Sequence, residues 1–359
     1  MAGGPPGELT GFCRMQIEGK RIGEGAVFII AEAGVNHNGE LGNALRMVDV
    51  AAEAGADAIK FQTFKAEYLA AEDAPKARYQ IAATGDGERQ FEMLKRLELG
   101  PDAHQALQKR CSERNIIFLS SPFDECSVDF LATLPVPAFK LGSGEVTNIP
   151  LLKHVGSKGR PVLLSTGMSN LEEVDQAIQT LRRSGCDEIA LLHCVSNYPA
   201  APSDANLRAI PTMKQAFGLP VGFSDHTPGI TVAIGAVGVG ASIIEKHFTL
   251  DKNMPGPDHK ASLDPDELKS MIAGIRMLEV ALGTGVKAPA ASELENRAIV
   301  RRSLAAAVDI EAGTRIEPHM LRALRPGTGI PPTSLGEVVK RTAKRSVKAG
   351  ELIDWTDLA

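Results

Sequence analysis

The sequence predicts an α/β chain, a (β/α)8 TIM barrel followed by a small C-terminal domain, and three observations predict it. Apolar β-type runs alternate with segments of helical period, the pattern of a parallel sheet joined by helical crossovers. Eight such units fit in a little over 280 residues, the size of a closed barrel; a doubly wound sheet usually has fewer strands and a Gly-rich first turn. Beyond about residue 284 this rhythm stops and the composition shifts.

The first element is a short hairpin in MQIEGKRIGEGAVF, ahead of the barrel proper. Strands follow at 28–33, 58–64, 116–122, 138–144, 162–166, 189–195, 221–225 and 242–249, each trailed by a helical segment. The helix at 171–184 reads LEEVDQAIQTLRRS, and the one at 264–282 sets Leu268, Met271, Ile275, Leu278 and Leu282 on one stripe. The barrel unit therefore runs 1–283 with its hairpin, a linker covers 284–298, and 299–359 forms the small domain. The strands of that domain, in DIEAGTRIEPHMLRALRPGTGIPP, are too short to bury much alone. It is expected to lean on another surface, such as a partner subunit's barrel.

With 43% apolar and 23% charged residues, the 359-residue chain has the composition of an ordinary globular protein. A net charge of −5 with scattered Lys and Arg lacks the basic footprint that phosphate-backbone binding needs, so no nucleic-acid partner is expected. No apolar run approaches the roughly 20 residues that span a bilayer. The opening MAGGPPGELTGFCRMQ lacks a basic stretch followed by an apolar one. The expectation is a cytoplasmic protein without a membrane partner. Cys13, Cys111, Cys126, Cys186 and Cys194 contain no C-x-x-C pair and are expected to be reduced and mostly buried.

Polar residues gather where strands end: Glu32, Lys60, Ser120, Ser121, Lys140, Ser143, His193, Asp225, His226 and His247. In a TIM barrel that rim carries the active site. His226 in SDHT and His247 in EKHFT fall at adjacent strand ends, where two neutral imidazoles could share a divalent metal and leave positions open for water or a substrate oxygen. The alternative is a pair of hydrogen-bonded structural histidines. Lys60 in IKFQ and Lys140 in FKLGSGE interrupt apolar strands, where an unpaired ammonium is expensive, so something anionic must meet them. A carboxylate-plus-phosphate ligand would do so, with Ser121, Ser143 and Ser165 completing the cradle. A Schiff-base lysine, or a salt bridge to Glu32 or Glu145, would also account for them. Glu32 ends a buried strand and, with Glu145 and Asp258, is a candidate for general-base work or polyol binding. NMPGPDHKAS after the eighth strand has the composition of a substrate-binding rim loop and equally of a plain turn.

Together, IIAEAGVNHNG, AGADAIKFQTF, FLSSPFD, FKLGSGE, LLSTGMS, LLHCVSNYP, VGFSDHTPGI and EKHFTLDKNMPGPDH resemble the bacterial N-acetylneuraminate (sialic acid) synthase family, legionaminate synthases included. The resemblance covers nearly all of the chain after about residue 22, and the tail is similar to the antifreeze-like, or SAF, domain. It implies a transferase in which phosphoenolpyruvate adds through its C3 to the aldehyde of open-chain N-acetylmannosamine, with C–O cleavage releasing phosphate. It also implies a divalent metal on His226 and His247, Mn2+ first, with Mg2+ or Co2+ as alternatives. Glu32, Lys60, Lys140 and Glu145 would be the catalytic set, with Glu32 orienting or deprotonating the water that attacks C2 of phosphoenolpyruvate. By the same resemblance Lys60, Ser121, Lys140, Ser143 and Ser165 would hold the carboxylate and phosphate of phosphoenolpyruvate, Glu32, Gln62, Glu145, Tyr198 and Asp258 would surround the sugar and the reactive water, and Ser196 and Ser224 would be further substrate-binding residues. Arg325 in LRPGTG resembles a tail-domain arginine that reaches a neighbouring subunit's site, which implies a homodimer with swapped SAF domains. Ser196 departs from the family, standing where some relatives carry Asn. APKARYQ is shared by neuraminate and legionaminate synthases, so N,N'-diacetyllegionaminate, made from 2,4-diacetamido-2,4,6-trideoxymannose, is the alternative product. The intact PGPDH separates the chain from pseudaminate synthases.

Overall fold

A computed structural model describes residues 15–359 of the protein. The hairpin consists of β1 (Met15–Ile17) and β2 (Lys20–Ile22), paired antiparallel. All eight expected barrel strands form: β3 (Phe28–Gly34), β4 (Ala58–Thr63), β5 (Ile117–Pro122), β6 (Phe139–Leu141), β7 (Val162–Ser165), β8 (Ile189–Cys194), β9 (Val221–Asp225) and β10 (Ile243–His247). Every ladder among them is parallel, in the order β5-β4-β3-β10-β9-β8-β7-β6. The first strand pairs with the last, Glu32 opposite His247, and the sheet curls until β5 and β6 are neighbours. The expected strand at 138–144 is shorter than predicted because the chain turns at Gly142 into a 3-10 turn, Ser143–Glu145.

Strands covered on both faces read as continuous apolar runs, and FIIAEAG is buried throughout. Their two faces feed two separate cores. Outward residues such as Ile29, Ile59, Phe61 and Leu164 pack with Met47, Leu107 and Leu181 of the helical layer. Inward residues Phe28, Ile30, Ala58, Ile117, Leu119 and Ile243 pack instead with Met15, Ile17 and Ile22, so the hairpin stoppers the N-terminal end of the lumen. The helices Leu171–Arg183 and Pro265–Leu282 each begin with a capping box, Asn170 with Glu173 and Asp264 with Glu267. The stripe expected on the second holds at Leu268, Met271 and Ile275 and fails at Leu282, the helix's last residue, which is half exposed.

The chain divides between Gly283 and Thr284 into two compact units. The second has its own core, including Leu304, Ile310, Ile316, Ile330, Val347 and Ile353, beside a two-stranded ribbon of β11 (Ser303–Ala306) and β12 (Leu321–Leu324). The stretch read as a linker contains a 3-10 turn, Ala291–Glu293, and the helix Leu294–Val300, where good helix formers follow one another without Gly or Pro. Among the described residues no helix is long and apolar enough to cross a membrane. Cys111, Cys186 and Cys194 are buried and Cys126 is exposed; Cys13, with the rest of the opening segment through residue 14, lies outside the described residues.

Candidate active site

Side chains alternate along a strand, so the inward series continues upward from the apolar layer. Two residues above Ile30, Ala58, Ala138 and Ile243 stand Glu32, Lys60, Lys140 and Glu245. These four, with Gln62, Ser121, Ser165, Ser224 and His247, line one cavity of about 280 Å³ at the C-terminal mouth of the barrel. The loops that follow the strands add Ser143, Glu145, Ser196, Tyr198 and His226 to the same cavity. Asp258 lines an adjoining cavity of about 270 Å³, which shares Gln62, Leu69, Phe123, Tyr198 and His247 with the first. Arg325 follows β12 in the second unit and precedes a cis proline, Pro326.

The four charged side chains are almost without exposure and neutralise one another. Lys60 Nζ lies 2.7 Å from Glu32 Oε2 and 3.9 Å from Glu245 Oε2, and Lys140 Nζ lies 3.3 Å from Glu245 Oε1. Lys60 also donates to Ser121 Oγ at 3.0 Å, Lys140 to Ser165 Oγ at 2.8 Å, and the Ser224 hydroxyl to Glu245 Oε1 at 2.9 Å. Burial raises carboxyl pKa values, but Glu245 faces both ammoniums, which outweigh burial and hold it down at about 2. Glu32 touches one ammonium only; burial wins, and its carboxyl is pushed up to about 7. Of the two carboxyls, Glu32 is the one able to exchange a proton near neutrality. Burial lowers Lys140, while Lys60 is raised because Glu245 and Glu32 overcome the same burial.

His226 and His247 have ring centroids 5.4 Å apart, and the Tyr198 ring lies 4.0 Å from the first and 5.6 Å from the second. His226 Nδ1 is 2.8 Å from the Val195 carbonyl, to which it donates; burial lowers the ring's pKa but Cys194 and that carbonyl outweigh it and raise it, and in the neutral ring Nε2 carries the lone pair. Burial drives the His247 pKa well down, so that ring is neutral at pH 7, and its Nδ1 is buried without a hydrogen-bond partner. One oxygen of Glu245, Oε2, is likewise buried with no hydrogen bond. The unpartnered His247 Nδ1 and the Nε2 of a neutral His226 fit two ligands of a divalent cation. Among the described residues no group of three or more His, Cys, Asp or Glu is placed to hold a metal ion, so the two histidines would be its protein ligands and water or substrate oxygens would have to supply the rest.

The loops are held by close contacts. Gly167 donates its N–H to Ser143 Oγ at 2.9 Å, and a Cβ there would overlap both Ser143 Oγ and Ser196 Oγ, so only glycine lets the loops after β6, β7 and β8 converge. Glu145 accepts from Asn148 Nδ2 at 2.7 Å, and burial raises its pKa. Asp258 is pushed up by burial, against His226, to about 6.

Three strand-end residues do not enter the cavity. Ser120 bonds Thr63, His193 bonds the Ala205 carbonyl at 2.8 Å, and Asp225 pairs at 2.7 Å with Lys246 behind the barrel wall. All three occupy outward positions of their strands. The anion met by both lysines is Glu245, which the motif reading passed over. Strand periodicity could have found it: if His247 points inward, so does the residue two before it. Cys194, also lining the cavity, follows from the same count, whereas Tyr79 in the adjoining cavity comes from a short helix, Arg78–Thr84, in the excursion after β4, which strand periodicity does not reach.

Comparisons with known proteins give the family. A family model described as NeuB family matches residues 47–287, and one described as SAF domain matches 301–359. An N,N'-diacetyllegionaminic acid synthase of Legionella pneumophila is 48% identical over 91% of this chain and 93% of its own length. One from Campylobacter jejuni is 46% identical over 90% and 98%. The crystal structure of an N-acetylneuraminic acid (sialic acid) synthetase from Leptospira borgpetersenii superposes with a TM-score of 0.70 at 36% identity, covering 79% of this chain and 95% of that one.

Proposed function

The chain belongs to the NeuB family and carries a SAF domain, and from that premise we propose that it is an N,N'-diacetyllegionaminic acid synthase, joining phosphoenolpyruvate to 2,4-diacetamido-2,4,6-trideoxymannose. The comparisons favour this sugar over N-acetylmannosamine, the first expectation, because the legionaminic acid synthases are 48% and 46% identical and the sialic acid synthetase 36%. The observation that carries the reading is the charged layer Glu32, Lys60, Lys140 and Glu245, a buried set that can receive an anion on its lysines while one carboxyl titrates near neutrality.

In this reading Lys60 and Lys140 bind the carboxylate and phosphate of phosphoenolpyruvate, with Ser121, Ser143, Ser165, Ser196 and Ser224 as hydroxyl partners. C3 of phosphoenolpyruvate forms the new carbon–carbon bond to the sugar aldehyde, and the positive charge left at C2 is taken up by water. Glu32 accepts that water's proton. Cleavage of the C2–O bond then expels phosphate and leaves the 2-keto acid. His226 and His247 would hold a divalent cation, manganese first and otherwise Mg2+ or Co2+, which when bound would supply Lewis-acid polarisation of the sugar aldehyde. Tyr198, whose ring lies tilted against His226, helps to fix that ring, and Gln62, Glu145 and Asp258 meet the sugar hydroxyl and amide groups. Lys60 already carries Glu32 as an ion-pair partner, which favours the anion cradle over a Schiff base.

Arg325 is proposed to reach the N-acetyl group from the SAF domain of a second copy, in a swapped homodimer. Phosphoenolpyruvate is a cytoplasmic metabolite, and the reading keeps the protein there. The test is the ratio of kcat/KM for the two sugars with phosphoenolpyruvate and manganese, with the product identified by mass. A preference for the trideoxy sugar of about tenfold or more supports the reading; preference for N-acetylmannosamine replaces it with neuraminate synthesis.

A further inference from the structure

The two adjoining cavities share Gln62, Leu69, Phe123, Tyr198 and His247, while Leu94 lines the second only, and their remaining linings differ in chemistry. The first is ringed by charges and hydroxyls. The second has polar groups, Tyr79, Gln80, Gln90 and Asp258, together with an apolar patch. That patch belongs to a small core cluster of Val35, Phe64, Met93 and Leu97, distinct from both barrel cores, on which Leu69, Leu94 and Phe123 pack half-buried. Gln80 is already engaged: its Oε1 accepts from the Ala77 N–H at 2.9 Å and from Gln90 Nε2 at 3.4 Å.

We propose that the apolar patch formed by Leu69, Leu94 and Phe123 determines sugar specificity at C6, accepting a methyl group and disfavouring a hydroxymethyl. The inference rests on the proposed function. The aldehyde carbon must sit in the first cavity, near Glu32 and the two histidines. The far end of the six-carbon chain then extends past Gln62 and Tyr198 into the second. A methyl against the patch is removed from water at no polar cost. A hydroxyl held against the patch loses water partners and meets only carbon on that side, since Leu69, Leu94 and Phe123 carry no side-chain donor or acceptor, while the polar groups of the cavity, Tyr79, Gln90 and Asp258, are left to the sugar's other substituents.

The test compares 2,4-diacetamido-2,4,6-trideoxymannose with its 6-hydroxy counterpart, sugars that differ only at C6, in wild type and in Leu94→Gln. Leu94 lies within the helix Gln90–Leu97, and Gln is of similar length and helix propensity. The wild type is expected to favour the 6-deoxy sugar by about 10- to 100-fold in kcat/KM. Leu94→Gln is expected to shrink that ratio by about tenfold through KM for the sugar, with KM for phosphoenolpyruvate unchanged. If Leu94→Gln melts early, Leu69→Gln is read by the ratio of the two sugars alone, since Leu69 also lines the first cavity. A wild-type ratio near one, or an equal loss on both sugars in the variants, overturns the inference. Activity of the wild type with neither sugar overturns the proposed function as well, an outcome seen before any variant is made.

Discussion

The lower and upper halves of the barrel lumen are built by the same strands on the same alternation, yet they are opposite in chemistry. Below, Ile30, Ala58, Ala138 and Ile243 close against the hairpin's Met15, Ile17 and Ile22. One inward step higher stand Glu32, Lys60, Lys140 and Glu245, just as buried. A layer of ion pairs inside a protein is a weak source of stability and can often be replaced by apolar residues at no loss. The lower layer is therefore expected to carry stability and the upper layer chemistry. Inside the upper layer a second contrast holds: the number of ammoniums in contact separates two buried glutamates, one held at about 2 and one raised to about 7.

Substitutions that cross this divide should break the two halves apart. His247→Ala is expected to abolish manganese binding by calorimetry and to lower sugar-dependent phosphate release by about 10³-fold or more while melting near the wild type. Glu32→Gln is expected to cost about 10²- to 10³-fold in kcat/KM. The wild-type rate should fall as pH drops through about 7, where Glu32 protonates, and the variant should lose that limb from its pH–rate profile. The stability sign is also fixed. The folded pKa of about 7 exceeds the ordinary 4.5, so the folded state holds the proton more tightly. Ionising Glu32 then costs stability as pH rises from about 4.5 to 7, a cost Glu32→Gln should remove in a series of thermal melts. Ile17→Ala, in the lower half, is expected to lose about 2–4 kcal/mol in denaturant unfolding and to leave kcat of the folded fraction unchanged. Arg325→Ala, in the other unit, gives the smallest effect, raising the sugar's KM about tenfold without moving that of phosphoenolpyruvate.

The fold was legible because parallel strands buried on both faces leave unbroken runs such as FIIAEAG, and Gly or polar residues mark where each stops. The site was legible wherever a charged residue interrupted such a run, as Glu32, Lys60 and Lys140 do. Glu245 escaped because EKHF is charged or polar at three successive positions, and only the alternation of the strand tells that Glu245 and His247 face the lumen while Lys246 turns away to Asp225. The same rule, applied to Ser120, His193 and Asp225, would have removed them from the candidate set. The adjoining cavity was harder to foresee. Its Tyr79, Gln90 and Leu94 come from the excursion between β4 and β5, where neither period 2 nor the strand ends mark which side chains turn toward the barrel mouth.

The central claim is that the charged upper lumen performs a sugar-dependent condensation with C–O cleavage. The most direct measurement follows phosphate from phosphoenolpyruvate labelled with 18O in the bridging C2–O position, with manganese and the trideoxy sugar. The account predicts that released phosphate carries the label, and that release stops when the sugar is omitted or EDTA is added. Unlabelled phosphate, or release that proceeds without the sugar, would contradict it.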